Sequence, residues 1–166
     1  MRKKYNTYDM SQTYGIGYTS NTNKVFYFDK DKYELIKNYC WLENDQGYII
    51  ARNPKTNRNI RMHRLLLSPS KNQIIDHINN NRADNRCINL RYANKSTNGI
   101  NRGCNVTNKL KVKGVSKCSN CNKYMARITV NKKEKYLGLF STIEEAQLAR
   151  KKAEKEYFGG FAYGGE

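Results

Sequence analysis

Apolar and polar positions alternate along this chain in short bursts, and no burst is long. Val25-Phe26-Tyr27-Phe28 and Gly47-Tyr48-Ile49-Ile50-Ala51 have the composition of strands. Between them, Tyr33-Glu34-Leu35-Ile36-Lys37 fits a short helix ending near Asn38. The run Arg61-Met62-His63-Arg64-Leu65-Leu66-Leu67 is broken by Ser68-Pro69-Ser70. Ile74-Ile75 predicts a short strand running into Asp76-His77. A polar stretch, Asn79-Asn80-Asn81-Arg82-Ala83-Asp84-Asn85-Arg86, follows. It is expected to be unable to form a core and to make turns, because Asn and Asp side chains bond to their own backbone. Ile88-Asn89-Leu90-Arg91-Tyr92 restores a strand pattern, and Lys95 to Asn101 fits a short helix capped by Asn94.

Residues 103–112 are polar and basic with little periodicity, and residues 106–111 are expected to be a linker. Beyond them the pattern sharpens. Met125-Ala126-Arg127-Ile128-Thr129-Val130 alternates, with Ala126, Ile128 and Val130 on one face and Arg127 and Thr129 on the other. Asn131-Lys132-Lys133 is a turn before the strand Tyr136-Leu137-Gly138-Leu139-Phe140. Ser141-Thr142-Ile143-Glu144 fits a capping box that opens a helix running to about Tyr157. Ala146, Ala149 and Ala153 give that helix a small-residue face, and Gly159-Gly160 ends it. The expected fold class is α+β. A first part, residues 1–105, carries N-terminal strands and a small core at 74–102; a second, residues 112–162, is a three-stranded antiparallel sheet with one helix.

Charge changes what this architecture is for. The chain has 166 residues with 31 Lys and Arg against 14 Asp and Glu, a formal net charge of +17. Both halves carry the excess: 18 basic and 8 acidic residues lie in 1–105, and 13 and 6 in 106–166. Each neutralised phosphate releases condensed counterions, so nucleic acid is the expected partner of such a chain. No apolar run approaches the roughly 18 residues of a membrane span. Met1-Arg2-Lys3-Lys4-Tyr5-Asn6 has no apolar segment behind its charges and is not expected to be a signal peptide. An intracellular, cytoplasmic location follows, with the five cysteines as thiols. The glycosylation-like triplets at Asn94 and Asn105 are then coincidental.

Asp76-His77 is the candidate chemical centre. Phosphodiester hydrolysis needs an activated nucleophile and a means of neutralising charge at phosphorus. A neutral His takes a proton from water near pH 7, and a carboxylate holds a hard divalent cation. The spacing Asp76-His77, Asn89, Asn98 resembles the HNH endonucleases. The likeness extends over Ile75-Asp76-His77-Ile78-Asn79 to Asn85, Asn89-Leu90-Arg91, and Ser96-Thr97-Asn98 to Asn101. It is close to the phage-type, intron-encoded homing enzymes, whose flanking pattern Tyr14-Gly15-Ile16-Gly17-Tyr18 and Met62-His63-Arg64-Leu65 also resemble.

The resemblance implies a ββα-metal (His-Me finger) core, with His77 as general base and Asp76 and Asn98 as metal ligands. Asn89 would brace the loop and orient His77 by a hydrogen bond. One Mg²⁺ or Mn²⁺ ion is implied, since an amide oxygen in the last position argues against a soft metal. If phage-encoded, the protein would act in the cytoplasm of a bacterial host. Arg82, Arg86 and Arg91 flank the site and either clamp the phosphate or form a solvated basic face. His63 is assigned a structural role.

Cys118-Ser119-Asn120-Cys121 is a lone CxxC, with Cys40, Cys87 and Cys104 at unrelated spacings. A tetrahedral site needs four ligands, so no structural zinc is expected and the pair is taken as a turn with two thiols. Lys113-Gly114-Val115, Ala126-Arg127-Ile128, Tyr136-Leu137-Gly138-Leu139-Phe140, Glu144-Glu145-Ala146 and Tyr157-Phe158-Gly159 resemble the ethylene-response-factor (Apetala-type) DNA-binding domain. That family lays its sheet in the major groove. Lys113, Ser116, Lys117, Lys123, Arg127, Thr129 and Tyr136 are the expected DNA contacts. Met125, Ser116 and Thr129 depart from the plant pattern, so plant base readout does not transfer.

The sequence therefore leads to a metal-dependent endonuclease acting on double-stranded DNA, nicking or cutting it. A monomer is expected, with a dimer left open. Two other classes compete: a non-catalytic DNA-binding regulator with a degenerate HNH core, and an RNA- or ribosome-binding protein, for which no module is recognisable.

Overall fold

The computed structural model describes residues 6–101, 103–104 and 107–162, without the side chains of Lys95 and Ser96. Met1–Tyr5 of the segment read against a signal peptide, Asn105 of the second triplet, and Val106 at the start of the expected linker lie outside the described residues. Two compact units divide at Lys95/Ser96.

The first unit begins with a meander of β1 (Thr7–Asp9), β2 (Gly15–Tyr18) and β3 (Val25–Phe28). Alternation buries Phe26 and Phe28 completely. Their rings lie across β2, where a Cβ on Gly15 would stand 2.3 Å from Phe28 Cζ and one on Gly17 2.2 Å from Phe26 Cζ. Glycine is required there because the rings occupy the space of a side chain. A 3₁₀ turn, Lys30–Lys32, leads into α1 (Tyr33–Ile36). A second meander follows: β4 (Leu42–Glu43), β5 (Ile49–Arg52) and β6 (Asn59–Arg61). Then comes α2 (Met62–Leu67). Phe26, Phe28, Ile36, Trp41, Ile49, Ala51, Met62, Leu66 and Ala83 form the core.

Ala83 in that core corrects the expectation for the polar stretch. Ala83, Asp84 and Asn85 are buried, Asn85 completely. The loop is pinned to the first meander: Tyr27 N–H donates to Ala83 O at 2.9 Å, and Asn85 N–H to Tyr27 O at 2.9 Å. Polar side chains are tolerated inside because their hydrogen bonds are made there.

The unit ends in a hairpin of β7 (Ile74–His77) and β8 (Leu90–Ala93), paired antiparallel with Asp76 opposite Arg91 and His77 opposite Leu90.

The second unit opens with α3 (Lys95–Ile100), whose first residue falls at the division. The expected boundary near residue 105 therefore moves earlier. The expected linker is not loose either. Leu110 and Val112 pack on the cluster of Val115, Ala126 and Ala146. Lys113 Nζ donates to Ile100 O at 2.5 Å, which ties the end of α3 to this unit.

The sheet has the order β11-β10-β9, from β9 (Val115–Lys117), β10 (Tyr124–Val130) and β11 (Lys133–Phe140). Asn131 and Lys132 both have positive φ, as a two-residue hairpin turn requires. A bulge between Ala126 and Arg127 adds one residue to β11, so Leu137 and Phe140 both face the core.

α4 (Ile143–Phe158) covers the inner face. Its capping box is one residue later than expected: Thr142 accepts from Glu145 N–H, and Glu145 accepts from Thr142 N–H. Ser141-Thr142 and Glu144-Glu145 offer both registers, and the structure uses the second. α4 also buries Arg150 and Glu154, their side chains 3.0 Å apart, beneath the alanine face expected from sequence. No helix of the described residues is long and apolar enough to cross a membrane.

Candidate active site

Asp76 and His77 occupy the end of β7 and are buried. His77 Nε2 lies 3.4 Å from Asn85 Oδ1. Asn85 Nδ2 donates to Ala83 O at 3.2 Å, which turns the amide oxygen toward the ring. An acceptor in that position calls for a proton on Nε2 and leaves the lone pair on Nδ1. Burial pushes the His77 imidazole down; the Asn85 bond, Asp76 and Asp84 push it up and Arg82 down again. The net position is below the ordinary histidine value. The ring is therefore neutral at pH 7, as a proton acceptor must be.

Asn89 braces the loop, but its side chain acts at a distance from the ring. Its Oδ1 accepts from Asn79 N–H at 2.9 Å and its Nδ2 donates to Asp84 O at 2.8 Å. Asn85 makes the side-chain contact with His77 Nε2, and no motif position marks it. Its signal was present only as part of an Asn-rich turn.

Asp84 is a second unexpected anchor. Burial pushes its carboxyl up. The bidentate Arg86 guanidinium, at 2.7 Å to each oxygen, and the Asn79 amide outweigh this and hold it below the usual range.

The arginines expected to face phosphate separate by partner. Arg86 is engaged by Asp84. Arg91 Nε and Nη2 both donate to Asp76 Oδ2, at 2.8 and 2.6 Å. These two stabilise buried carboxylates, and their charge is largely compensated. Arg82 is exposed and donates to Gln46 O at 2.6 Å.

His63, expected to be structural, lies beside His77 with ring centroids 5.0 Å apart in a T-shaped arrangement. It is buried, its Nδ1 has no hydrogen-bond partner among the described residues, and burial, His77, Arg61 and Arg64 together push it down to about 3. It is a neutral wall of the site. Tyr48 completes the neighbourhood, 5.4 Å from His63 and 6.1 Å from His77 between ring centroids.

Asn98 is exposed on α3, beyond the unit that holds Asp76 and His77. In the first unit, the buried Asp76 carboxylate is a donor that fits a hard cation in kind. Mg²⁺ is commonly held by one or two protein oxygens, with water and phosphate supplying the rest. No cluster of three or more His, Cys, Asp or Glu suited to a metal occurs among the described residues.

In the second unit, Ser116, Arg127, Thr129 and Tyr136 lie on the outer sheet face and are exposed. Arg127 is shared with Glu134 at 2.9 Å and with Met125 Sδ. Lys123 is exposed just before β10. Two expected contacts are placed elsewhere. Lys113 is half-buried against Glu154 at 3.4 Å, and Lys117, opposite Tyr124, belongs to the helix-covered face. Strand alternation alone separates Lys117 from Ser116. Cys118 is half-buried and Cys121 exposed, both as free thiols.

Comparison with known proteins bears on one segment. The HNH endonuclease family model matches residues 68–100, which include β7, the buried loop and β8. No curated protein and no solved structure matches the chain.

Proposed function

We propose, from the HNH match over residues 68–100, that this chain is a DNA endonuclease in which His77 activates the attacking water. The observation carrying this reading is the Asn85–His77 contact, which presents a neutral Nδ1 lone pair beside a buried carboxylate. His77 Nδ1 takes a proton from water, the hydroxide oxygen bonds to phosphorus, and the P–O3′ bond breaks. The products are a 5′-phosphate and a 3′-hydroxyl, the latter protonated from solvent. Asp76 and Asn98 would hold one divalent ion, Mg²⁺ or Mn²⁺, which when bound supplies charge stabilisation at the phosphate. Asn89 holds the loop that carries Asn85. The outer face of the second unit, with Ser116, Lys123, Arg127, Thr129 and Tyr136, selects the site on duplex DNA. Its three strands and covering helix support the Apetala-type reading. The homing type and a phage or intron origin are the finer form of the same proposal.

Supercoiled plasmid tests it. Wild-type protein relaxes or linearises the plasmid with Mg²⁺ and not with EDTA. The Asp76→Ala protein binds DNA but leaves the plasmid supercoiled. One observation favours a second reading, a DNA-binding regulator: Arg91 Nε and Nη2 both donate to Asp76 Oδ2, in competition with a metal. Plasmid that stays supercoiled under every metal, with duplex binding intact, would select that reading.

A further inference from the structure

Arg86 and Arg91 are each engaged by a buried carboxylate, but two other guanidiniums near His77 are not. Arg61 and Arg82 have no ion pair among the described residues. Arg82 spends one N–H on Gln46 O, and Arg61 makes no side-chain hydrogen bond there. Both rest on one ring instead: Arg82 Cζ is 4.5 Å and Arg61 Cζ 4.7 Å from the Tyr48 centroid. That ring is the one 6.1 Å from His77.

Two like charges held around a single ring repel each other, and the ring's quadrupole offsets only part of that. An anion between or beside them removes the repulsion. A guanidinium has five donors in a planar fork, matched to phosphate oxygens, and most of those donors are unspent here. Arg61 also lines a cleft of about 590 Å³ with Asn44, Asn59, Arg64 and Ser68, a polar rim along which a backbone can continue.

We propose that Tyr48, Arg61 and Arg82 form a phosphate cradle that grips the sugar-phosphate backbone of the nucleic acid strand presented to His77. The strand being cut there rests on the function proposed above; the grip itself does not. Tyr48 fixes the two forks in place, and the charge comes from β6 and the buried loop rather than from the hairpin that carries Asp76.

Duplex DNA in EDTA, where no cleavage occurs, is the probe. Binding is measured by fluorescence anisotropy over a range of KCl. Arg61→Gln and Arg82→Gln each lower the slope of log Kd against log salt by about one, and the double variant by about two. Tyr48→Leu keeps the charges, so it weakens binding with the slope unchanged. Arg58→Gln, an exposed arginine away from the ring, changes the slope by less than either. Thermal unfolding checks that each variant folds. An unchanged slope in the double variant, or an equal drop in Arg58→Gln, overturns the cradle. Wild-type protein that never cuts DNA, but loses slope in these variants, refutes the nuclease reading and leaves the cradle standing.

Discussion

At the residue scale, burial sets the protonation of both histidines. His77 lies below the ordinary imidazole value, so its neutral form persists as pH falls to about 6.5. Single-turnover cleavage should therefore hold from pH 8 to about 6.5 and decline only below. A rate that falls already between pH 8 and 7 would contradict a depressed base. Asn85→Ala removes the partner of Nε2 and leaves either tautomer accessible. We expect cleavage to drop by about 10- to 100-fold with duplex binding retained, by analogy with groups that orient metal-bound histidines. His63 has a separate consequence. Its folded value, about 3, lies far below that of an exposed histidine, so the unfolded chain binds more protons between. Its contribution to stability is present above pH 6.5 and is lost as pH falls toward 3. Urea unfolding of His63→Gln should show a weaker acid dependence than wild type.

At the element scale, strands and helices were largely legible and the loop between β7 and β8 was not. Val25–Phe28, Ile74–His77 and the alternation of β10 follow directly from apolar periodicity. The stretch 79–86 carries almost no apolar signal, yet it inserts Ala83 into the core and buries Asp84 and Asn85. Those polar groups are satisfied by Arg86 and Asn89 nearby in the chain and by the Tyr27 backbone 58 residues away, and the distant pairing leaves no local pattern. Nothing in the Asn-rich turn marks Asn85 as the partner of His77, eight residues away, whereas Asn89 falls at a motif position. Lys113 and Lys117 were misplaced because charge density does not reveal which sheet face a side chain takes. Tight backbone approaches are testable here. Gly114 has φ +69°, and a Cβ there would stand 2.3 Å from Arg150 Nε and 2.6 Å from Arg127 O. Gly114→Ala should destabilise the second unit by at least about 1 kcal/mol in denaturant unfolding. A wild-type midpoint would show that the sheet and α4 separate easily at this point.

At the scale of the whole molecule, the proposed function gives the two units divided tasks on one polyanion. The first holds the buried Asp76-His77 pair and the loop that positions it. The second offers an exposed sheet face where Arg127, Thr129 and Tyr136 are not covered by the helix. If that face selects the site, Arg127→Ala with Tyr136→Ala should erode preference between DNA sequences. The maximal cleavage rate on bound DNA should stay within a few-fold of wild type. Equal loss on all sequences would place the face in general phosphate binding instead.

The most direct measurement follows an end-labelled duplex under single-turnover conditions with Mg²⁺, using wild type and His77→Ala side by side. The account predicts that wild type cuts to a 5′-phosphate and a 3′-hydroxyl. It predicts that His77→Ala binds the duplex with similar affinity and does not cut it. Cleavage by purified His77→Ala at a comparable rate would contradict the assignment of His77 as the base.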